Sequence, residues 1–265
     1  MKNLSGLLWD TSIVLSRWRT RLRYAAMAPF VYRNWWQMYL ARTWSGPTIL
    51  ELRNGTKYSI RPRTTDLSVV NETALLNPYL GPGFFKLSPD ATVVDVGANI
   101  GDFTVQAAML CPAGRVYAVE PILGNCECVR QQLELNQSRN VTVLQFALGA
   151  KDGQTEIHSA GAVSSAYWGK AGVERVRLTS LESLMKENGI QRIDLLKLDC
   201  EGAEWDIFPA AEALLPRIDQ ICMEYHNGKL TADWLDEWLT KRNFVVRRTR
   251  GRWNGILWAW RPKAA

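Results

Sequence analysis

The 265-residue chain has only two histidines, His158 and His226. A proton-transfer role for imidazole therefore has two positions to choose from, and His158, in a weakly patterned stretch, receives none. The five cysteines, Cys111, Cys126, Cys128, Cys200 and Cys222, are an odd number without a paired framework. They read as free thiols in a reducing compartment. Cys126 and Cys128 form C-x-C, which lacks the two intervening residues of a zinc knuckle and has no second pair nearby, so no metal is expected. No apolar run is long enough to span a bilayer. Asp10 interrupts the first apolar stretch and no small-residue cleavage site follows, so cytoplasmic residence is expected. Repeats and low-complexity tracts are missing as well.

What is present is an ordinary globular composition: 47% hydrophobic, 22% charged, with 19 glycines and 11 prolines spread along the chain. Such a chain builds one large α/β core with an appendage. Its net charge of +6 is unevenly placed. Residues 1–50 hold seven Lys/Arg against one acid, residues 241–265 hold eight and no acid, and the body between them carries a net −8. An acidic body between basic, tryptophan-bearing ends suggests that the ends meet something anionic. The same −8 would repel a long polyanion, which argues against nucleic acid.

Along the chain, residues 1–50 read as a basic, aromatic, helical extension. Trp18, Leu22, Ala25 and Ala26 form one stripe flanked by arginines, Pro29 breaks or kinks the helix, and a second helix presents Trp35, Trp36, Tyr39 and Leu40 on one side. An interfacial membrane helix and a helix packed on its own domain both fit this pattern. Residues 51–90 lead into the core through a hairpin at Asn54-Gly55 and a helix ending near Asn77-Pro78. From 91 to 265 strand and helix alternate, which requires a mostly parallel, doubly wound sheet. "VTVLQFALG" reads as its third strand, "GQTEIHSAGAVSSAYW" as weak strand and loop, and the last two strands fold around Asn254-Gly255. Ser164, Ser165, Tyr167 and Trp168 fall in a loop suited to pass over the active edge and to meet a sugar.

Ligands of such sheets sit beyond the carboxyl ends of the strands. Those ends deliver Asp95, Glu120, Asp199, Glu201 and Glu224 to one edge, and the first helix adds Asp102. The turn "VVDVGANIGDFT" has Gly97 and Gly101 in a spacing that matches neither G-x-G-x-x-G nor the P-loop. Acids on both sides of it disfavour a pyrophosphate and welcome a cationic or zwitterionic ligand such as S-adenosylmethionine. Glu120, about twenty residues beyond the turn, is placed to hold a ribose diol. The candidate cofactor contacts are Asp95, Gly97, Ala98, Asn99, Gly101, Asp102, Phe103, Glu120, Pro121, Ala147, Leu148 and Asp199. Each has a plain structural alternative, such as a tight turn for Gly97 or a helix cap for Asp102.

"VVDVGANIGDFT", "VYAVEP", "ALG", "LLKLDCEGAEWDIF" and "MEYH", in that order, resemble the FkbM-type family of S-adenosylmethionine-dependent methyltransferases. The likeness begins near Asp66, with "TDLSVVNE" resembling the family's upstream segment, and its most specific part is the LK-x-D-x-EG-x-E block. The resemblance implies a class I, Rossmann-like sheet of seven strands with an antiparallel C-terminal hairpin, a methyltransferase domain over 91–265, and O-methylation of a hydroxyl on a sugar, glycan, glycolipid or secondary metabolite. It places cofactor contacts on Asp95, Gly97, Asn99, Glu120 and the segment near Ala147. Cys200 stands where the family often has an aliphatic residue. His226, oriented by Glu224 two residues before it on the fifth strand, is the favoured base, with Asp199 and Glu201 as alternatives or as partners of the acceptor. Two other readings stand beside this one: an NAD-dependent oxidoreductase, and an inert membrane-associated binding protein. The tryptophans are then free to meet lipid, a partner subunit in a homo-oligomer, or the domain itself.

Overall fold

The computed structural model describes residues 22–40, 45–80, 83, 85–160, 163–165, 173–200, 202–226, 231–249 and 254–262. Trp18, Tyr167, Trp168 and Glu201 lie outside the described residues, as do the side chains of Ser164, Ser165 and His226.

A helix over residues 22–31 (α1) is followed by a short one, Gln37–Leu40 (α2), and by strands Thr48–Glu51 (β1) and Lys57–Ile60 (β2). The two strands form the antiparallel hairpin that Asn54-Gly55 announces, with Gly55 at φ +93° where a Cβ would be strained. Two details of the extension differ from expectation. Pro29 does not stop α1, which runs two residues further, and the buried side is the one bearing Ala28 and half-buried Tyr24 and Met27. Leu22 and Ala26, on the expected stripe, face solvent because the hairpin packs against the other side.

Helix Asp66–Asn71 (α3) continues as a π-helical turn, Glu72–Leu76, closed by Asn77 at φ 47°. The core then alternates: Thr92–Val96 (β3), Asp102–Leu110 (α4), Arg115–Val119 (β4), Leu123–Leu135 (α5), Val141–Leu144 (β5), Ala147–Gly149 (β6), Gly153–Ala160 (β7), Val163–Ser165 (β8), Val173–Ser180 (β9) and Leu181–Glu187 (α6). It ends with Leu195–Leu198 (β10), Glu204–Ala210 (α7), Gln220–His226 (β11), Ala232–Thr240 (α8), Val245–Arg248 (β12) and Asn254–Trp260 (β13).

The main sheet has seven strands in the order β12-β13-β11-β10-β3-β4-β5, all running the same way except β13, which is antiparallel to both of its neighbours, β11 and β12. β3 and β10 are buried almost throughout, which fits strands covered on both faces by helices. "VTVLQFALG" is two strands: exposed Gln145 marks the point where the chain leaves the main sheet, and β6 pairs with β9 in a four-stranded sheet ordered β6-β9-β7-β8. Asn254-Gly255 opens β13 and is not the turn between the last strands.

Helices α6 to α8 cover one face of the main sheet, where Ser180 and Thr231 cap α6 and α8 by accepting Ser183 and Trp234 amides. On the other face Tyr32, Leu50, Tyr58 and Ile60 share a core with Val105, Val129 and Leu133, so the hairpin is continuous with the sheet's own packing. The five cysteines are free thiols. No helix among the described residues is long and apolar enough to cross a membrane.

Candidate active site

Gly97 ends β3 at φ +74°, and a Cβ there would lie 2.0 Å from the Asp199 carbonyl oxygen. Only glycine lets the turn press against the end of β10. The turn then satisfies itself: the amides of Gly97 and Ala98 donate to Val119 O, that of Asn99 to Glu120 Oε2 (2.9 Å), and that of Gly101 to Ala98 O. A phosphate cradle works by aiming free amides at its ligand. Four of the five amides over 97–101 are already used on the protein.

Glu120, at the end of β4, is 2% exposed. Its Oε1 accepts the Ile122 amide at 3.0 Å and Asn125 Nδ2 at 3.3 Å. Burial pushes its carboxyl up to about 7, against the pull of these donors. Asn125 Oδ1 accepts from Arg61, which forks onto Asp66, so the "TDL" segment holds the floor of the site at one remove.

Asp95 faces the other way. It is fully buried inside the sheet, where its register neighbour Lys197 meets Oδ1 at 3.1 Å and the Thr104 hydroxyl donates to Oδ2 at 2.5 Å. Lys197 Nζ also donates to Gly97 O at 2.8 Å and lies 4.9 Å from the centre of the Tyr79 ring. Burial opposes its charge, yet the carboxylates of Asp95, Asp199 and Asp102 hold its pKa above the usual lysine value. Asp102 opens α4 just after Gly101, which takes the cap position, and its side chain turns toward the π-helical segment to accept the Thr73 hydroxyl. Burial raises Asp102 to about 7. Phe103 packs edge-on against Tyr79, 5.4 Å between centres, in the interior.

Between the two sheets, at the carboxyl ends of β3, β4 and β10, opens a cavity of about 510 Å³. Gly97, Glu120, Pro121, Ala147, Leu148 and Asp199 line it, together with Phe146, Ile157 and Leu178 from the small-sheet side and Trp205 from α7. Of the candidate cofactor residues, these first six therefore meet at one place. Ala98, Asn99 and Gly101 support it through the backbone of the turn, whereas Asp95, Asp102 and Phe103 do not line it: the acids expected to flank a ligand are neutralised or hydrogen-bonded within the protein.

Asp199 is half-buried, and its Oδ2 accepts the Tyr79 hydroxyl at 3.0 Å. Glu224 is half-buried on β11; burial above all, and then Asp199, Asp102, Glu72 and Glu224, raise the pKa of the Tyr79 hydroxyl. The backbone of His226 closes β11. The LK-x-D-x-EG-x-E block thus gains physical content: Lys197 pairs Asp95, Asp199 faces the cavity, Gly202 takes φ +104°, and Glu204 Oε1 accepts the Cys200 amide at 2.9 Å. Lys197, Tyr79, Thr73 and Thr104 were not among the sequence-derived candidates. A lysine inside the apolar run "LLKL" was the available signal, since a buried lysine calls for a carboxylate partner.

A seven-stranded sheet of this order, with a self-satisfied glycine turn, an acid closing the next strand and a cleft at the carboxyl edge, has the architecture of a Rossmann-like methyltransferase. The chain belongs to the FkbM methyltransferase family, whose domain model matches residues 95–246. It is 30% identical to the AMB antimetabolite synthetase AmbE of Pseudomonas aeruginosa, a match covering 60% of this chain and 10% of that protein. It is 23% identical to the 2-O-methyltransferase NoeI of Sinorhizobium fredii, covering 54% of this chain and 66% of that one. The chain thus spans a tenth of AmbE and just under two thirds of NoeI. Among solved structures, the FkbM methyltransferase of Methylobacillus flagellatus aligns with a TM-score of 0.51 at 16% identity, over 73% of this chain and 53% of that one, and shares the fold.

Proposed function

We propose that the chain is a cytoplasmic S-adenosylmethionine-dependent O-methyltransferase acting on a hydroxyl of a sugar, glycan, glycolipid or secondary metabolite. The observation that carries this reading is Glu120: a carboxylate lining a largely apolar cavity, its oxygens fixed by two backbone amides and retaining lone pairs for a ribose diol. The apolar surfaces of Phe146, Leu148 and Leu178 suit an adenine ring, and the turn's spent amides disfavour a pyrophosphate. The name 2-O-methyltransferase, carried by NoeI, supports a hydroxyl acceptor, and the antimetabolite named for AmbE supports a natural product.

S-adenosylmethionine supplies a methyl group on a sulfonium that is already a good leaving group. The chain's residues have then to align the acceptor oxygen and exclude water. Asp199 is the group for the acceptor: it reaches the cavity, and the Tyr79 hydroxyl fixes one of its oxygens while the other is left to take the hydroxyl proton. His226, with Glu224 on the same strand, is the second group for that proton.

Calorimetric titration of the protein with S-adenosylmethionine and with NAD tests the cofactor, and labelled methyl transfer into glycan and lipid fractions of a lysate tests the chemistry. Binding of NAD without S-adenosylmethionine sinks the reading. Loss of turnover in Asp199→Asn with full turnover in His226→Ala assigns the proton to Asp199, and the reverse result assigns it to His226.

A further inference from the structure

Five large apolar side chains crowd one small exposed region: Trp35, Trp36, Tyr39 and Leu40 around α2, and Ile49 on β1, each between 38% and 52% exposed. Scattered surface apolar residues are ordinary, but a contiguous aromatic patch marks a contact surface. The rings hold one another in place, with Trp35 6.3 Å from Trp36 and 6.2 Å from Tyr39, both edge-on. Asn34 binds the two elements together by donating to Ile49 O and to Gln37 Oε1. The patch is therefore preformed, and exposing it requires no unfolding.

Charge selects the occupant. The described residues between 22 and 57 include four basic residues, Arg23, Arg33, Arg53 and Lys57, and a single acid, Glu51. Glu51 is engaged by Arg33 at 3.1 Å. Two copies of so basic a surface repel each other, whereas an anionic one is drawn to it. Tryptophan and tyrosine favour the headgroup layer, where an apolar ring body and a polar N–H or O–H are both accommodated. Arginine stems snorkel from the same depth toward lipid phosphates.

We propose that this surface docks the protein on an anionic lipid bilayer, with the Trp35, Trp36 and Tyr39 rings in the headgroup layer. The hairpin register gives the docked protein a direction. Thr48 pairs with Ile60, the residue before Arg61, and Arg61 reaches Asn125 beside Glu120, so the Ile49 end of the hairpin lies toward the cofactor edge of the sheet. Docking itself is independent of the proposed chemistry.

The test is co-sedimentation of the full chain with phosphatidylcholine vesicles prepared with and without phosphatidylglycerol, at low and high salt. Binding is expected only with phosphatidylglycerol, and it should weaken with salt, since each basic residue near an anionic surface is worth roughly fivefold. The exposed double substitution Trp36→Ser/Tyr39→Ser, verified as folded by its thermal transition, should weaken vesicle binding about tenfold. Failure to bind phosphatidylglycerol vesicles overturns the proposal, as does equal binding by the variant. A concentration-dependent dimer that the variant abolishes would overturn it in favour of a second copy of this chain.

Discussion

Two sides of one strand edge use the same residue type in opposite ways. On the inner side Asp95 is locked between Lys197 and Thr104 and has no exposure. On the outer side Glu120 and Asp199 face a cavity, each with one partner arrangement that fixes it and capacity left over. A carboxylate at a strand end is therefore not by that fact a ligand. What decides is the residue beside it in register: Lys197 lies opposite Asp95 across the β3–β10 pair, and no cation is so placed for Glu120. Under the proposed function, discrimination against a pyrophosphate rests less on acids repelling it than on a turn that has spent its amides.

The comparison breaks most sharply at Lys197. Lys197→Met leaves Asp95 as an uncompensated buried charge, a change that costs about 3–5 kcal/mol. Denaturant unfolding should show that loss in the midpoint, without a change in slope. Adding Asp95→Asn to Lys197→Met should recover part of it, because the penalty belongs to the unpaired charge. A double variant no better than the single one would mean that Lys197 acts through Gly97 O and the Tyr79 ring instead.

Substitution on the outer side should act on binding as well as on stability, because a glutamine at position 120 offers one acceptor oxygen where the carboxylate accepts backbone amides on both. Glu120→Gln keeps the shape but loses the charge that accepts a diol, an effect of about 1–3 kcal/mol, or roughly tenfold to hundredfold in affinity for S-adenosylmethionine. In the wild type, protonation of a group near 7 should also lower affinity as pH falls below neutrality, approaching tenfold per unit. In Glu120→Gln that dependence should vanish. Titration calorimetry at several pH values measures both, and a flat profile in the wild type would remove Glu120 from the contact.

Much of this was legible in advance, for definable reasons. Strands buried on both faces, such as "TVVDV" and "LLKL", are near-continuous apolar runs, so the parallel core and the strand-end positions followed from the sequence. The four-stranded sheet did not, because β9 alternates exposed Val173, Arg175 and Arg177 with half-buried Glu174, Val176 and Leu178 and looks like a polar connection until its distant partner β7 is known. The assignment of Asp95 to the cofactor failed to foresee a cross-strand neighbour 102 positions away, since parallel register is set by packing and not by local pattern. Tyr79, brought to Asp199 from 120 residues upstream, carried no local sign of its role.

The smallest effect sharpens the comparison at Asp102, which is as buried as a core residue yet directly follows the glycine turn. Burial raises its folded pKa to about 7, above the ordinary aspartate value, so the native state holds a proton that the unfolded chain releases. Stability from this group is fully present below about pH 4 and is lost as pH rises toward 7, with a slope of at most about 1.4 kcal/mol per unit. Glu120, also raised to about 7, contributes the same sign over a similar window. Asp102→Asn, which can still accept the Thr73 hydroxyl, should therefore remove one proton's share of the slope and leave the share of Glu120. Near pH 8 the variant should equal or exceed the wild type in stability, while at pH 4 it should not. An unchanged slope would mean that Asp102 is ionised in the fold, and that the inner side of the edge carries more negative charge than Lys197 alone can balance.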